Sequence, residues 1–346
     1  MTVLRERFAP EELKDVLARY EVGLIESMRP FARGSRHAPK LILCSTAGKY
    51  LLKRRAAGRD DPRRVAFTHA LLIHLRRNRF PVPRIIHTLE GPTVLRMNDH
   101  VYELFELIEG DPYDRSLEQT QHAGRTLAKF HNAARDLETR WPAPQTGYHA
   151  LPAVLHGLNS IPTTVSSHDS VAGHEAELLS LTQELYERVE NASESVEAAG
   201  YAGWLAQITH GDWHPGNLLF RRSRVLAVVD LDSARMQPAV TDVANGMLQF
   251  SILRSSLQPE EWPSYFDESR MRRFFAGYLT KAALSPGQRG AIPDLMIESL
   301  IAECVVPVAA TGSLGPMPGF GVLQMVRRKV RWILDNRDRM KSWLLE

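Results

Sequence analysis

The chain has 346 residues, 44% hydrophobic and 24% charged, with 22 Gly and 21 Pro; at about 150 residues per domain this predicts roughly two globular units and excludes a disordered or fibrous protein. Its two cysteines, Cys44 and Cys304, stand at opposite ends in apolar surroundings, which excludes a disulfide framework or a cysteine zinc site and fits a reducing compartment. A net charge of +3 gives no nucleic-acid signal, and the charged residues 1–13 with no long apolar run after them predict a cytoplasmic protein without membrane or nucleic-acid partners.

Charge is divided along the chain: residues 1–110 carry 20 Lys/Arg against 13 Asp/Glu, and the remainder 23 against 27. A basic first part suits a polyanion and an acidic second part a cationic small molecule, although salt screens such fields beyond about 8 Å. After Pro10, the residues Leu13, Val16, Leu17 and Tyr20 recur at helical spacing and predict a short amphipathic helix. Apolar runs at 23–31, 39–46 and 49–55 predict strands, the last two separated at hairpin distance by Ala47-Gly48. Asp61-Pro62 reads as an N-cap and first helical position, and Phe67, Ala70, Leu71, His74 and Leu75 mark one face of the helix. Strand-like runs near 93–97 and 101–108 flank Asn98-Asp99. This α+β unit ends at Glu109-Gly110-Asp111-Pro112, giving domains 1–108 and 109–346.

Helical periodicity then dominates. Ser116 and Gln119 form a capping-box pattern ahead of a long helix to about His131. Residues 141–170 carry Pro142, Pro144, Pro152 and Pro162 and are expected to be loops or an insertion before a helix at 175–190. Two short strands, 217–220 and 225–230, are joined by Arg221-Arg222-Ser223-Arg224, and three or four helices complete the chain.

The chemistry concentrates at 210–232. Asp212 lies in a Gly/Pro-punctuated loop, Asn217 begins one strand and Asp230 ends the next, so a hairpin can bring Asn217 and Asp230 to one mouth. One carboxylate and one amide oxygen, completed by phosphate oxygens and water, suit magnesium. Asp232 either contacts this site or is a solvated strand end.

His210-Gly211-Asp212-Trp213-His214-Pro215-Gly216-Asn217, followed after an apolar strand by Asp230, resembles the catalytic loop and metal-binding Asp of the protein-kinase fold. The His-Gly-Asp-x-His-x-x-Asn form is that of the aminoglycoside phosphotransferase and choline kinase superfamily. Phe80-Pro81-Val82-Pro83 and Tyr102-Glu103-Leu104-Phe105-Glu106 look most like its homoserine-kinase-like and spore-coat-kinase-like members. The resemblance implies a bilobal protein-kinase-like fold, with a small antiparallel-sheet lobe and a larger, mainly helical one. It implies ATP and Mg2+ as cofactors, and a γ-phosphoryl group moved to a hydroxyl of an amino alcohol, a homoserine-like amino acid, a sugar or an aminoglycoside. Lys53 would reach the nucleotide's phosphates, Gly34 and Ser35 would lie over it, and the backbone of Glu106, Leu107 and Ile108 would bond adenine. Asn217 and Asp230 would hold magnesium, and Asp212 would accept the acceptor hydroxyl's proton or hold that hydroxyl in line. Asp242, in Thr241-Asp242-Val243-Ala244, resembles the superfamily's buried anchoring aspartate.

Kinase folds usually pair the strand lysine with a glutamate on the small-lobe helix, and residues 54–89 contain no Glu. His69, Asp60 and Asp61 are the nearby substitutes, and this departure keeps a noncatalytic, nucleotide-binding pseudokinase as an alternative. An atypical Ser/Thr protein kinase is another. In a third, His210, Asp212 and His214 would ligate the metal of a hydrolase, although no further ligand cluster accompanies them. Glu298 and Glu303 make room for a cationic acceptor, or are ordinary surface charge. The sequence specifies no oligomeric state.

Overall fold

Strands β1 (Ile25–Pro30), β2 (Lys40–Ser45), β3 (Gly48–Arg54), β4 (Leu95–Met97) and β5 (His100–Glu106) make one antiparallel sheet in the order β1-β2-β3-β5-β4. The computed structural model describes residues 5–32, 34, 37–165 and 171–346. The β4–β5 turn uses Asn98 and Asp99 at φ of 49° and 59°, the left-handed conformation that two-residue hairpin turns demand and Asn and Asp tolerate. Helix α1 (Pro10–Leu17) lays Val16 against Leu43, Leu52, Tyr102 and Leu104, all four at most marginally exposed. Each such side chain contributes roughly 1.5–3 kcal/mol by leaving water. Helix α2 (Pro62–Arg77) starts as its sequence predicts, with the Asp61 carboxylate accepting from the amides of Arg63 and Arg64.

Late in the chain β6 (Ala206–Thr209) precedes the hairpin of β7 (Leu218–Arg221) and β8 (Arg224–Val228), and β9 (Arg235–Pro238) follows it and pairs back antiparallel with β6. The β6–β9 pair is absent from the sequence-level expectation because four-residue strands lack a readable alternation. Contacts divide the chain into two compact units, one of residues 1–112, 133–144 and 217–234, the other of 113–132, 145–216 and 235–346. The β7–β8 hairpin therefore packs with the N-terminal sheet. Phe220 and Asp111 exchange amide-to-carbonyl bonds of 2.8 Å, and the Val228 amide donates to the Pro81 carbonyl at 2.8 Å. Gly110 permits this approach, since a Cβ there would stand 2.9 Å from that of Leu219.

The second unit is mainly helical: α3 (Leu117–Ala134), α4 (Pro152–Val165), α5 (Glu175–Ala198), α6 (Ala239–Ser251), α7 (Glu268–Leu279), α8 (Pro286–Gly290), α9 (Ile292–Thr311), α10 (Gly319–Asp335) and α11 (Arg337–Leu345), with a two-residue pair β10 (Ser313–Leu314) and β11 (Met317–Pro318). Helix α9 is apolar on nearly every face and lies among α4, α5, α6 and α10, as a helix with no polar stripe must. The sheet unit and the helical unit are the α+β architecture expected.

Two expectations are corrected. The stretch 141–170, expected as loop or insertion, contains α4: Val154, Leu158, Ile161 and Val165 are its buried stripe, and its Gly157 lies against Val305 and Ala309 of α9. Pro152 opens the helix rather than breaking it, and Pro162 is accommodated within its last turn. After β9 there are six helices rather than three or four, because Pro286, Gly312 and Asn336 divide an apolar pattern that reads as fewer, longer segments.

Helices α3 and α7 meet backbone to backbone. A Cβ at Gly124 would stand 2.0 Å from the Phe274 carbonyl oxygen, and one at Gly277 2.1 Å from that of Gln121. Either Gly→Ala substitution is expected to force the helices apart and lower stability by about 1–3 kcal/mol, read as a reduced urea midpoint; an unchanged midpoint would contradict the close crossing. Among the described residues no helix is long and apolar enough to cross a membrane.

Candidate active site

Antiparallel register places Lys53 of β3 directly opposite Glu103 of β5. Glu103 is fully buried, and its Oε1 accepts from Arg55 at 2.8 Å and meets His69 Nε2 at 2.6 Å, while Oε2 lies 4.0 Å from the Lys53 amine. The second acid is Asp232, whose Oδ2 lies 2.5 Å from Lys53 Nζ and whose Oδ1 accepts from Arg55 at 2.8 Å. Arg64 adds a 3.1 Å bond to the Asp232 carbonyl, and His69 Nδ1 meets the Thr93 hydroxyl at 2.7 Å.

Burial by itself would raise the Glu103 pKa, but the His69 hydrogen bond and the charges of Lys53 and Arg55 outweigh it and hold the carboxyl at about 2. Asp232 is likewise driven well below the usual carboxylate range, burial opposing and Lys53 and Arg55 prevailing. Burial works against the Lys53 charge, yet Asp232, Glu103 and Asp230 more than compensate and raise the amine's pKa. The cluster is a set of buried and partly buried charges that mutually keep one another ionised.

The glutamate missing from the helix is thus supplied by the neighbouring strand, and His69 touches that glutamate rather than the lysine. The signal was readable: Glu103 is the single charge between Tyr102 and Leu104, in the run expected as a strand. Asp232 belongs to the cluster and is no solvated strand end. Arg55 gave no advance sign, because its partners come from β5 and from a turn 177 residues away.

At the hairpin's mouth the Val229 amide donates to the Asn217 carbonyl at 2.9 Å, so Asn217 and Asp230 are nearly opposite. Asp230 adopts a left-handed backbone, φ 63°, which aspartate tolerates better than most residues. Lys40, across β2 from Lys53, has its pKa lowered by burial and then by Lys53, with Asp230 and Asp232 pulling the other way. Lys40, Lys53, Asp230 and Asp232 therefore share one neighbourhood, and no motif in the sequence marks Lys40. Gly34, at φ +86°, leads the chain past Lys40: a Cβ there would stand 3.0 Å from its amine. Ser35 lies outside the described residues. The amides of Glu106 and Leu107 already donate to the carbonyls of Arg84 and Lys49, at 2.8 and 2.9 Å, so these two expected adenine donors are engaged inside the sheet unit.

In the second unit, the loop after β6 is held by Asp242 of α6. Its carboxylate accepts from the His210 amide at 2.7 Å and the Gly211 amide at 2.9 Å, and lies 3.1 Å from His131 Nε2. Burial opposes the Asp242 charge, but His131, His210 and the Gly211 amide hold its pKa down. The anchoring role expected of Asp242 is what the structure shows. Gly211 turns the loop at φ +74°, and buried Trp213 stacks near Phe130 and His210. Asp212 itself stays 42% exposed, 3.5 Å from His214 Nε2. His214 Nδ1 accepts from the Gly216 amide at 3.0 Å.

His210 is fully buried against aromatic rings while His214 is a third exposed, so the alternating triplet cannot close on one metal ion. Among the described residues no group of three His, Cys, Asp or Glu could hold a metal alone. The hydrolase alternative fails on both counts. Asn217 and Asp230 offer one amide and one carboxylate oxygen, a donor set that fits a hard divalent ion sharing its shell with phosphate and water.

A model of the phosphotransferase enzyme family (APH) matches residues 27–284. A homoserine kinase of Nitrobacter winogradskyi is 24% identical over 293 residues, covering 83% of this chain and 80% of its own. The structure of a microcompartment-associated aminopropanol kinase is similar with a TM-score of 0.71, at 13% identity over 97% of this chain and 100% of that one. An amicoumacin kinase in complex with AMP-PNP, Ca2+ and Ami is similar with a TM-score of 0.68, at 12% identity over 97% of this chain and 94% of that one. At such identities the solved structures speak for the fold.

Proposed function

Because the chain belongs to the phosphotransferase enzyme family, whose members move phosphate to a hydroxyl, we propose that it transfers the γ-phosphoryl group of ATP to a small hydroxylated molecule. The observation that carries this reading is Lys53, held ionised by buried Glu103 and partly buried Asp232 beside Asp230. Phosphoryl transfer asks a protein mainly to position groups and neutralise charge. Two unit charges 4 Å apart interact by about 4 kcal/mol at an effective dielectric of 20, so fixed cations outweigh neutral contacts at a triphosphate.

Lys53 would contact nucleotide phosphates, with Glu103, Asp232 and Arg55 fixing its direction. Asn217 and Asp230 would hold magnesium, which when bound supplies neutralisation of the phosphate charge. Gly34 would lie over the nucleotide, and adenine recognition at 106–108 falls to carbonyls and to Ile108. Asp212 would hold the acceptor hydroxyl in line or take its proton. The complex of the amicoumacin kinase with AMP-PNP and Ca2+ supports a nucleotide and a divalent ion here. The homoserine and aminopropanol kinases support an acceptor combining a hydroxyl with an amine.

The test is ATP consumption by the purified chain with magnesium, across hydroxylated amines, sugars, aminoglycosides and a Ser/Thr peptide. Turnover with one small acceptor, abolished by a chelator, is expected. Nucleotide binding without turnover on any acceptor would overturn it and favour a pseudokinase.

A further inference from the structure

Helices α6 and α9 bring Asn245, Gln249, Ser299 and Glu303 together within the second unit. Glu298, five residues before Glu303, has its charge spent. It is fully buried, its carboxylate lies 2.8 Å from His149 Nδ1, and it accepts from the Ala150 amide at 3.0 Å and from the Ser193 hydroxyl. Glu303 is different. Its residue is solvent-exposed, at the contact of α9 with α6. The amides of Asn245 and Gln249 hold its carboxylate in place.

Two further features bear on Glu303. Burial first, and then the charge of Asp212, push its pKa up to about 7, with Asn245 and His214 opposing. Asp212 and Glu303 are therefore near enough to repel each other. Asn245 is 3% exposed, its amide nitrogen donates to Ser299 and Glu303, and its Oδ1 has no partner among the described residues. A buried acceptor without a donor beside a carboxylate pair calls for a ligand that brings N–H groups and positive charge. Among the described residues no group of three His, Cys, Asp or Glu side chains could hold a metal ion by itself here. A neutral polyol would leave the carboxylate repulsion in place.

We infer that Glu303, with the carbonyl of Asn245, is the subsite for an ammonium group on the phosphoryl acceptor, so the substrate is a hydroxylated amine and not a neutral sugar. This rests on the proposed phosphotransferase reading, in which the acceptor hydroxyl lies at Asp212. The ammonium screens Asp212 from Glu303 and supplies the missing donor to Asn245. Asn245 and Gln249 orient the carboxylate, and Glu298 organises the neighbouring helices without touching substrate.

The experiment compares isosteric pairs on wild type and Glu303→Gln: 1-amino-2-propanol against 1,2-propanediol, and homoserine against 4-hydroxybutyrate. Wild type is expected to prefer the amine by about 100-fold or more in kcat/KM, because a site with buried polar groups penalises an analogue that leaves them unpaired. Glu303→Gln should shrink that preference at least tenfold, chiefly through KM for the amine. Its Tm at pH 8 should not fall, because a carboxyl whose folded-state pKa is raised opposes folding once ionised, above its unfolded pKa. An undiminished preference, or a lowered Tm with equal losses on both members of a pair, overturns the inference. Calorimetric binding of the amines with AMP-PNP present separates it from its parent reading. Glu303-dependent binding without turnover would sink the kinase reading and leave the subsite standing; absence of binding would sink the subsite.

Discussion

Asp212→Asn is expected to give a folded protein whose phosphoryl transfer is lower by two or more orders of magnitude, about what loss of a positioned acid/base group costs. The loop's geometry has supports other than Asp212. Asp242 accepts from the two preceding amides, Gly211 supplies the turn, and Trp213 is buried against Phe130 and His210. The Asp212 carboxylate is 42% exposed and lies 3.5 Å from His214 Nε2, so removing its charge costs less than it would at a buried site. The substitution keeps shape and deletes only the capacity to accept a proton or orient a hydroxyl strongly. Product formation with the acceptor found in the screen, alongside a thermal melt, is the measurement. A rate within threefold of wild type, with the melt unchanged, would remove Asp212 from the chemistry.

Glu103→Ala is expected to lower stability by about 3–5 kcal/mol, the usual cost of leaving a buried charge without its partner. Glu103 and Arg55 are fully or almost fully buried, and the substitution leaves Arg55, His69 and Lys53 around an empty site with Asp232 as the remaining acid. That is a large share of the roughly 5–15 kcal/mol available to a domain. The pH dependence follows from the depressed pKa. The stabilisation from Glu103 is fully present above its unfolded pKa, near 4.5, and is lost as pH falls toward about 2. Urea denaturation at neutral pH and at pH 3 measures both effects: wild type should lose part of its advantage over the variant on acidification. A difference under about 1 kcal/mol at neutral pH would mean that Asp232 alone balances the cluster.

The candidate residues were legible to the extent that they are close in sequence. Asp212, Asn217 and Asp230 span one loop and one hairpin, so their spacing announced them, and the Asp61 cap and the Asn98-Asp99 turn are equally local. Glu103 was within reach of the sequence, as a charge set between Tyr102 and Leu104 in a largely apolar strand, but pairing it with Lys53 requires the β3–β5 register. That register depends on which strands neighbour each other, because β5 and not β4 lies against β3. The helix α4 was obscured by two prolines whose effect depends on position within a turn.

By itself, then, the sequence determined most of the local elements, the family resemblance and the chain segment proposed to carry the chemistry, because capping, alternation and a contiguous motif act over a few residues. Only the tertiary structure decided which acids neutralise Lys53, that Glu298 is spent and Glu303 open, and that the hairpin packs with the N-terminal sheet. Those outcomes rest on burial and on Coulomb interactions between residues as far apart as 53 and 232. Neither quantity has a signature in spacing: both depend on what the folded chain removes from water and what it leaves facing solvent.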